Sequence, residues 1–216
     1  RAELIKLMIG KTVYEEYVPR DLGKAETVLK ASNLRNKKLN KISFEIKKGE
    51  IVGFYGLVGS GKTELARAIL GCDPYEGEII FKGKKLEQSP DKVISAGIAM
   101  VPEERRSQGL FTILTTRSNI SVMNMGKIAK NGFIDTRKDR ETALDFIKRL
   151  GIVTSGPEKE VAKLSGGNQQ KVVFSKCLFA DADLLILDEP TRGIDVGSKS
   201  EIYRIIRQLS EEGKSI

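Results

Sequence analysis

Residues 56–63 read Gly56-Leu57-Val58-Gly59-Ser60-Gly61-Lys62-Thr63, the spacing of a nucleoside-triphosphate phosphate loop. The run before it, Ile51 to Tyr55, is apolar and of strand length. After it, Gly61 to Leu70 places Leu65, Ala66, Ile69 and Leu70 at helical spacing, closed by Gly71. Strand, glycine loop, helix is the order a phosphate loop requires. Gly56, Gly59 and Gly61 remove side chains where the backbone must curl, so successive N–H groups across residues 56–63 turn toward an anion. The free donors and dipole of the following helix add to that cradle. Lys62 supplies a mobile charge for β- and γ-phosphates, and Thr63 a hydroxyl where Mg²⁺ sits. The bland alternative is a glycine-rich turn before a helix, and the complete spacing behind an apolar strand leaves it little room.

Working outward, Leu184 to Leu187 is an apolar run that ends in Asp188-Glu189. Its lack of alternation predicts a strand covered on both faces of a parallel sheet. Ligands of such sheets bind at the carboxyl ends of strands. Asp188 is therefore a candidate to hold Mg²⁺, and Glu189 to polarise an attacking water. Taken alone, the segment could equally be a strand running into a solvated acidic turn.

A third stretch is Leu164-Ser165-Gly166-Gly167-Asn168-Gln169-Gln170-Lys171. Ser165 can cap the following helix, and Gly166-Gly167 leave amides bare at its first turn. Two readings are open from these residues: a second anion site, or simple capping with a flexible turn.

The 216-residue chain is 40% apolar, with 21 Gly and 6 Pro, ordinary for a globular α/β chain with one good core. No window reaches the length of a membrane span, and no signal peptide is recognisable. Cys72 and Cys177 fit no metal spacing and there is no His, which argues against zinc. Both cysteines are expected as buried free thiols. The net charge of +8 comes from short clusters such as Arg35-Asn36-Lys37-Lys38 and Arg105-Arg106. No aromatics interleave with them to make base-stacking platforms, so no nucleic-acid partner is expected.

The expected organisation is an α/β core over 25–114 and 177–216, with a helical subdomain at 115–176. Residues 1–24 read as a linker or the end of a preceding domain. The ending Lys214-Ser215-Ile216 reads as the entry to a buried strand, consistent with a fragment whose C-terminal part is missing. Strands are expected at Thr27–Ala31, Ile42–Ile46, Ile51–Tyr55, Glu78–Phe81, Gly97–Val101 and Leu184–Leu187. Helices are expected at Gly61–Leu70, Arg137–Leu150, Asn168–Ala180 and Ser198–Leu209.

These three segments together resemble the ATP-binding cassette (ABC) ATPases. Leu164 to Gln169 is similar to the signature Leu-Ser-Gly-Gly-x-Gln of that family. The resemblance implies a phosphate-loop NTPase, RecA-like core with a parallel sheet, an antiparallel β part toward the N-terminus and an inserted helical subdomain. It also implies head-to-tail pairing with a second cassette, so that Ser165, Gly166 and Gly167 act on nucleotide held by the partner. Asp195 is then expected near the interface of the pair. Glu189, Lys62 and Ser165 are the catalytic candidates; residues 56–63 with Gly166 and Gly167 bind ATP; Thr63, Asp188 and Glu103 are candidates for Mg²⁺. The stretches Val101-Pro102-Glu103-Glu104-Arg105, Asn168 to Val172 and Glu189 to Gly197 resemble the second cassette of double-cassette proteins that energise bacterial monosaccharide importers. The implied partners are a second nucleotide-binding domain in the same polypeptide, a transmembrane permease and, indirectly, a periplasmic or lipoprotein sugar-binding protein. The implied location is the cytoplasmic face of the bacterial membrane.

Two departures stand out. Glu103 occupies the place where most of the family carries a Gln, so the amide donor is lost. No Tyr or Phe lies between Asn33 and Asn40 to stack on adenine, which leaves Tyr14 or Tyr17 as substitutes. The alternatives to an importer ATPase are a soluble cassette ATPase in DNA repair or translation, disfavoured because no coiled-coil insertion interrupts the helical part, and a non-hydrolysing regulatory module.

Overall fold

The computed structural model describes residues 22–216. The first element is β1 (Thr27–Arg35), whose Leu29, Ala31 and Leu34 are buried. It pairs antiparallel with β2 (Ile42–Lys47) on one side and β3 (Glu76–Phe81) on the other. A short β4 (Lys84–Lys85) completes a four-stranded sheet in the order β2-β1-β3-β4. β3 starts two residues before the expected Glu78, so Gly77 lies inside the strand, at φ +103°. A Cβ there would meet the carbonyl oxygens of Ser32 and Asn33 at 2.6 Å. The register of β1 against β3 shifts between Ser32 and Arg35, so the glycine lets two backbones close at a bulge.

The second sheet is parallel. β5 (Ile98–Val101) pairs in register with β8 (Leu184–Leu187), Ile98 opposite Leu184 and Val101 opposite Leu187. Ser215 bridges Leu184 in the same sense, as expected of an entering strand. Ile216 then donates to the Glu50 carbonyl and accepts from the Val52 N–H, both at 2.8 Å. This corrects the expectation for Ile51–Tyr55. The segment is tied to the sheet at its start only, and residues 53–55 form no ladder. A strand is defined by a neighbour's N–H and C=O groups, and among the described residues this pairing extends to Val52. Phe54 and Tyr55 are exposed.

Helix α1 (Lys62–Ile69) buries Leu65, Ala68 and Ile69 against Leu29, Ile79, Ile98 and Leu184, between the two sheets. Helix α2 (Pro90–Ala96) was not expected; its only buried residue is Val93, too little for an apolar stripe. Its signals are punctuation: Pro90 at the first turn and Gly97 at φ +102° after the last.

Residues 115–176 contain α3 (Thr116–Ser121), α4 (Thr136–Arg149) and the start of α5 (Gly166–Phe179). Between α3 and α4 lies an unexpected hairpin of β6 (Ala129–Lys130) and β7 (Phe133–Ile134). Its turn, Asn131-Gly132, has both φ values positive, +52° and +83°, the backbone that Asn-Gly favours. Helix α5 starts two residues before the expected Asn168 and is buried all round. Val172, Phe174 and Cys177 link the helical part, through Ile120 and Ala143, to Ile202 and Leu209 of α6 (Val196–Glu211) in one apolar cluster.

The expectation of two buried thiols holds for one. Cys177 is buried, and burial pushes its thiol up to about 12. Cys72 is exposed, because it follows the Gly71 turn after α1 and leaves the helix's apolar stripe. The expectations for residues 1–21, including Tyr14 and Tyr17, lie outside the described residues.

Candidate nucleotide site

The loop at 56–60 bends on glycine backbone. Gly59 and Gly61 have φ of +81° and +93°. A Cβ at Gly56 would lie 2.5 Å from the Ser60 Oγ, and one at Gly61 3.4 Å from the Lys38 carbonyl. Gly61 is the N-cap of α1 and supplies no side-chain cap, so the donors of the first turn are left to the loop side. The Lys62 Nζ donates to the carbonyls of Gly56 at 2.6 Å and Leu57 at 3.3 Å. The ammonium is thus folded back over the loop. Leu57, Val58, Gly59 and Ser60 are exposed.

The acidic edge comes to the same place. The Thr63 hydroxyl donates to the Asp188 Oδ2 at 2.9 Å, across 125 positions of sequence. Asp188 directly follows β8, and its N–H donates to the Val101 carbonyl at 3.0 Å, which fixes it at the carboxyl edge of the parallel pair. Glu189 is exposed, has φ +46° and closes a turn in which the Arg192 N–H donates to its carbonyl at 2.9 Å.

Glu103 is placed differently. Its carboxylate pairs with the Arg192 guanidinium, which also lies 3.5 Å from the Glu104 Oε1. Among the described residues no three His, Cys, Asp or Glu side chains gather as a metal cluster, so Glu103 does not join Asp188 and Glu189 in one. Asp195 caps α6, accepting from the Ser198 N–H at 2.9 Å and the Ser198 hydroxyl at 2.7 Å. The backbone N–H, then the hydroxyl, hold its carboxyl below the usual carboxylate range.

At the signature turn the capping reading is seen directly, and the glycines are packed closely. The Ser165 Oγ accepts from the Asn168 Nδ2 at 2.9 Å and its N–H at 3.5 Å, which is capping. The two glycines answer to close neighbours in the same chain. A Cβ at Gly166 would meet the Arg105 Nη2 at 2.7 Å; one at Gly167 would meet the Ser198 Oγ and, at 2.6 Å, the Ser198 Cβ. In the sequence Arg105 stands out only as half of a basic pair and as part of a resemblance. No local pattern marks an arginine whose partners are backbone groups nearly ninety positions away.

Beside the loop, the Asn36 side chain accepts from the Lys38 and Leu39 N–H groups, both at 2.9 Å. This closes a turn whose Lys38 backbone abuts Gly61. The neighbouring pocket is lined by Arg35, Lys38, Glu64 and Tyr75. Tyr75, directly before β3, brings an aromatic side chain to this pocket from outside the stretch between Asn33 and Asn40.

A family model described as "ABC transporter" matches residues 39–192. The chain belongs to the ABC transporter family. It is an ATPase domain of that family, and its two sheets, phosphate loop and helices are those of an ATP-binding cassette. It is 40% identical over 217 residues to the ribose import ATP-binding protein RbsA of Geobacillus kaustophilus, covering 99% of this chain and 44% of that protein. It is 43% identical over 218 residues to a putative ribose/galactose/methyl galactoside import ATP-binding protein of Rhizobium etli, covering all of this chain and 42% of that protein. The cassette thus spans less than half the length of the curated relatives it matches. Among solved structures, cbiO1 of Clostridium perfringens, part of the ABC transporter complex cbiONQ, superposes with a TM-score of 0.71 at 25% identity, over 87% of this chain and 75% of that one. A nucleotide-free ATP-binding cassette gives 0.72 at 20% identity, over 87% and 79%, a likeness of fold. Among the described residues no helix is long and apolar enough to cross a membrane.

Proposed function

We propose that this cassette binds Mg-ATP at residues 56–63, hydrolyses it in a head-to-tail pair with a second cassette of the same polypeptide, and thereby powers import of a monosaccharide of the ribose or galactose kind. The observation that carries the reading is the Thr63–Asp188 hydrogen bond at 2.9 Å beside the uncapped start of α1. It joins the phosphate loop to the acidic edge, a hydroxyl and a carboxylate oxygen side by side, which is the donor set Mg²⁺ takes alongside phosphates and water. The bare backbone at Gly56, Gly59 and Gly61 fits a polyphosphate for the same reason. The names of the relatives support the sugar class.

Bound Mg²⁺ would neutralise charge on the β- and γ-phosphates. The chain's own residues do the rest. Lys62 exchanges the Gly56 and Leu57 carbonyls for phosphate oxygens. Thr63 and Asp188 would hold the cation. Glu189, one residue beyond, orients and deprotonates the attacking water. Glu103, paired with Arg192, would have to leave that partner to join Thr63 and Asp188. Ser165, with the amides of Gly166 and Gly167, faces the nucleotide of the second cassette. A permease, seated on the cytoplasmic face of the membrane, couples through the helical part, and a sugar-binding protein delivers cargo to it from outside.

The test is a pair of variants in the intact transporter. Lys62→Ala is expected to weaken ATP binding at least tenfold, about 1.4 kcal/mol. Glu189→Gln is expected to keep ATP bound while turnover falls about 10²-fold or more. Unchanged affinity in the first, or wild-type single-turnover rates in the second, would remove the assignment.

A further inference from the structure

We propose that Arg105 is a positioning residue that locks the signature turn to the loop behind the acidic pair, so that both halves of the hydrolytic apparatus of one cassette move as a unit. The inference rests on the ATPase reading above and adds to it a residue with no assigned role.

The guanidinium of Arg105 is a two-pronged staple. Its Nη1 donates to the Arg192 carbonyl at 2.9 Å and its Nη2 to the Gly193 carbonyl at 3.1 Å. The same Nη2 occupies the space that a side chain at Gly166 would need. Gly193 O and Ile194 Cγ2 stand 3.4 and 3.3 Å from that position, so the arginine, the loop and the signature turn meet at one point. The Nε of Arg105 is buried without a partner. The side chain therefore forgoes one of its own hydrogen bonds to reach two successive carbonyls, and burial lowers its pKa. The opposite strap runs back, since Arg192 pairs with Glu103 and Glu104. Arg106 extends the grip to the helix proper. Its Nε donates to the Gln169 Oε1 at 3.2 Å, and the Gln169 amide donates to the carbonyls of Val161 and Leu164 at 3.1 and 3.2 Å.

The loop end of this chain is anchored to the acid, because the Arg192 N–H bonds the Glu189 carbonyl. A shift of Glu189 is therefore carried through Arg192 and Gly193 to Arg105 and on to Gly166, next to Ser165. Only a planar fork spans two neighbouring carbonyls at once; an ammonium offers a point charge.

The experiment uses the intact transporter with Arg105→Ala and Arg105→Lys, and a double-mutant cycle with Ser165→Ala. ATP affinity and KM are expected within twofold of wild type. The kcat of Arg105→Ala is expected to fall at least tenfold, with Arg105→Lys recovering less than half of the loss. If Arg105 acts through the signature turn, adding Arg105→Ala to Ser165→Ala slows turnover no more than twofold further. Independent, multiplicative effects, or a kcat for Arg105→Ala within twofold of wild type, would overturn the proposal. Should Arg105→Ala fail to fold, the cycle is run with Arg105→Lys; failure of both to fold would assign the residue to stability alone and also overturn it. Lys62→Ala and Glu189→Gln run in the same assay separate the two readings. If those retain turnover, the ATPase reading fails; if they lose it while the Arg105 variants do not, only this inference fails.

Discussion

Substituting Gly167 by Ala puts two physical effects in opposition, and the structure says which wins. Gly167 lies in the first turn of α5. Helix propensity alone favours Ala there by up to about 1 kcal/mol. The new Cβ, however, would sit 2.6 Å from the Ser198 Cβ, roughly 1 Å inside a normal carbon–carbon contact. Turning the Ser198 hydroxyl away gives no relief, because the clash is with its Cβ. Either α5 and α6 move apart, an overpacking cost of about 1–3 kcal/mol, or Ser198 moves and its two bonds to Asp195 weaken, about 1 kcal/mol more. The net expectation is a loss of about 1–3 kcal/mol. With a urea m-value of about 2–3 kcal/mol/M, the unfolding midpoint of the chain falls by roughly 0.3–1.5 M. Adding Ser198→Gly removes the opposing Cβ and is expected to restore at least half of that shift. A Gly167→Ala chain that unfolds at the same or a higher urea concentration would refute the argument that packing, rather than amide exposure alone, requires glycine here.

Two further expectations concern the fold. Asp195→Ala should cost about 1 kcal/mol at pH 7, as loss of a helix cap does. The carboxyl is held low in the folded chain by Ser198, so its contribution is complete above the unfolded pKa of about 4 and is lost as pH falls through the folded value. Urea midpoints of wild type and variant should therefore converge in acid, and a gap that persists undiminished at pH 2 would argue against the cap. A thiol reagent at pH 8 should modify one cysteine of the folded chain, the exposed Cys72, and a second only in denaturant, because Cys177 is buried with its thiol raised to about 12. Two equivalents taken up without denaturant would contradict the packing of α5.

What could be read without the structure was short in range. The phosphate loop is eight consecutive residues, and β8 a four-residue apolar run ending in acid, so Thr63 and Asp188 could each be sent to a strand's carboxyl edge and their meeting anticipated. The amphipathic α6 was legible from Ile202, Ile205, Ile206 and Leu209 for the same reason. The ladder of residues 51–55 was misjudged because apolarity reports burial potential, whereas a strand needs a partner, and among the described residues the pairing stops at Val52. Asn131-Gly132 carried a hairpin signal, but its strands are two residues each and exposed, leaving no alternation to notice. The engagement of Glu103 by Arg192 and of Gly166 by Arg105 is set by tertiary approach of segments far apart in sequence. No spacing rule encodes it.

The backbone of Glu189 has a consequence for anyone who alters this protein. At φ +46° it sits in a conformation that costs an L-residue about 1 kcal/mol and glycine almost nothing. A search for stabilised variants that scores folding alone would therefore be drawn to Gly or Asn at this one position. It would trade away the carboxylate next to Asp188 for a more comfortable turn. A selection for heat resistance without a selection for turnover is thus expected to yield a sturdier cassette that has lost the acid.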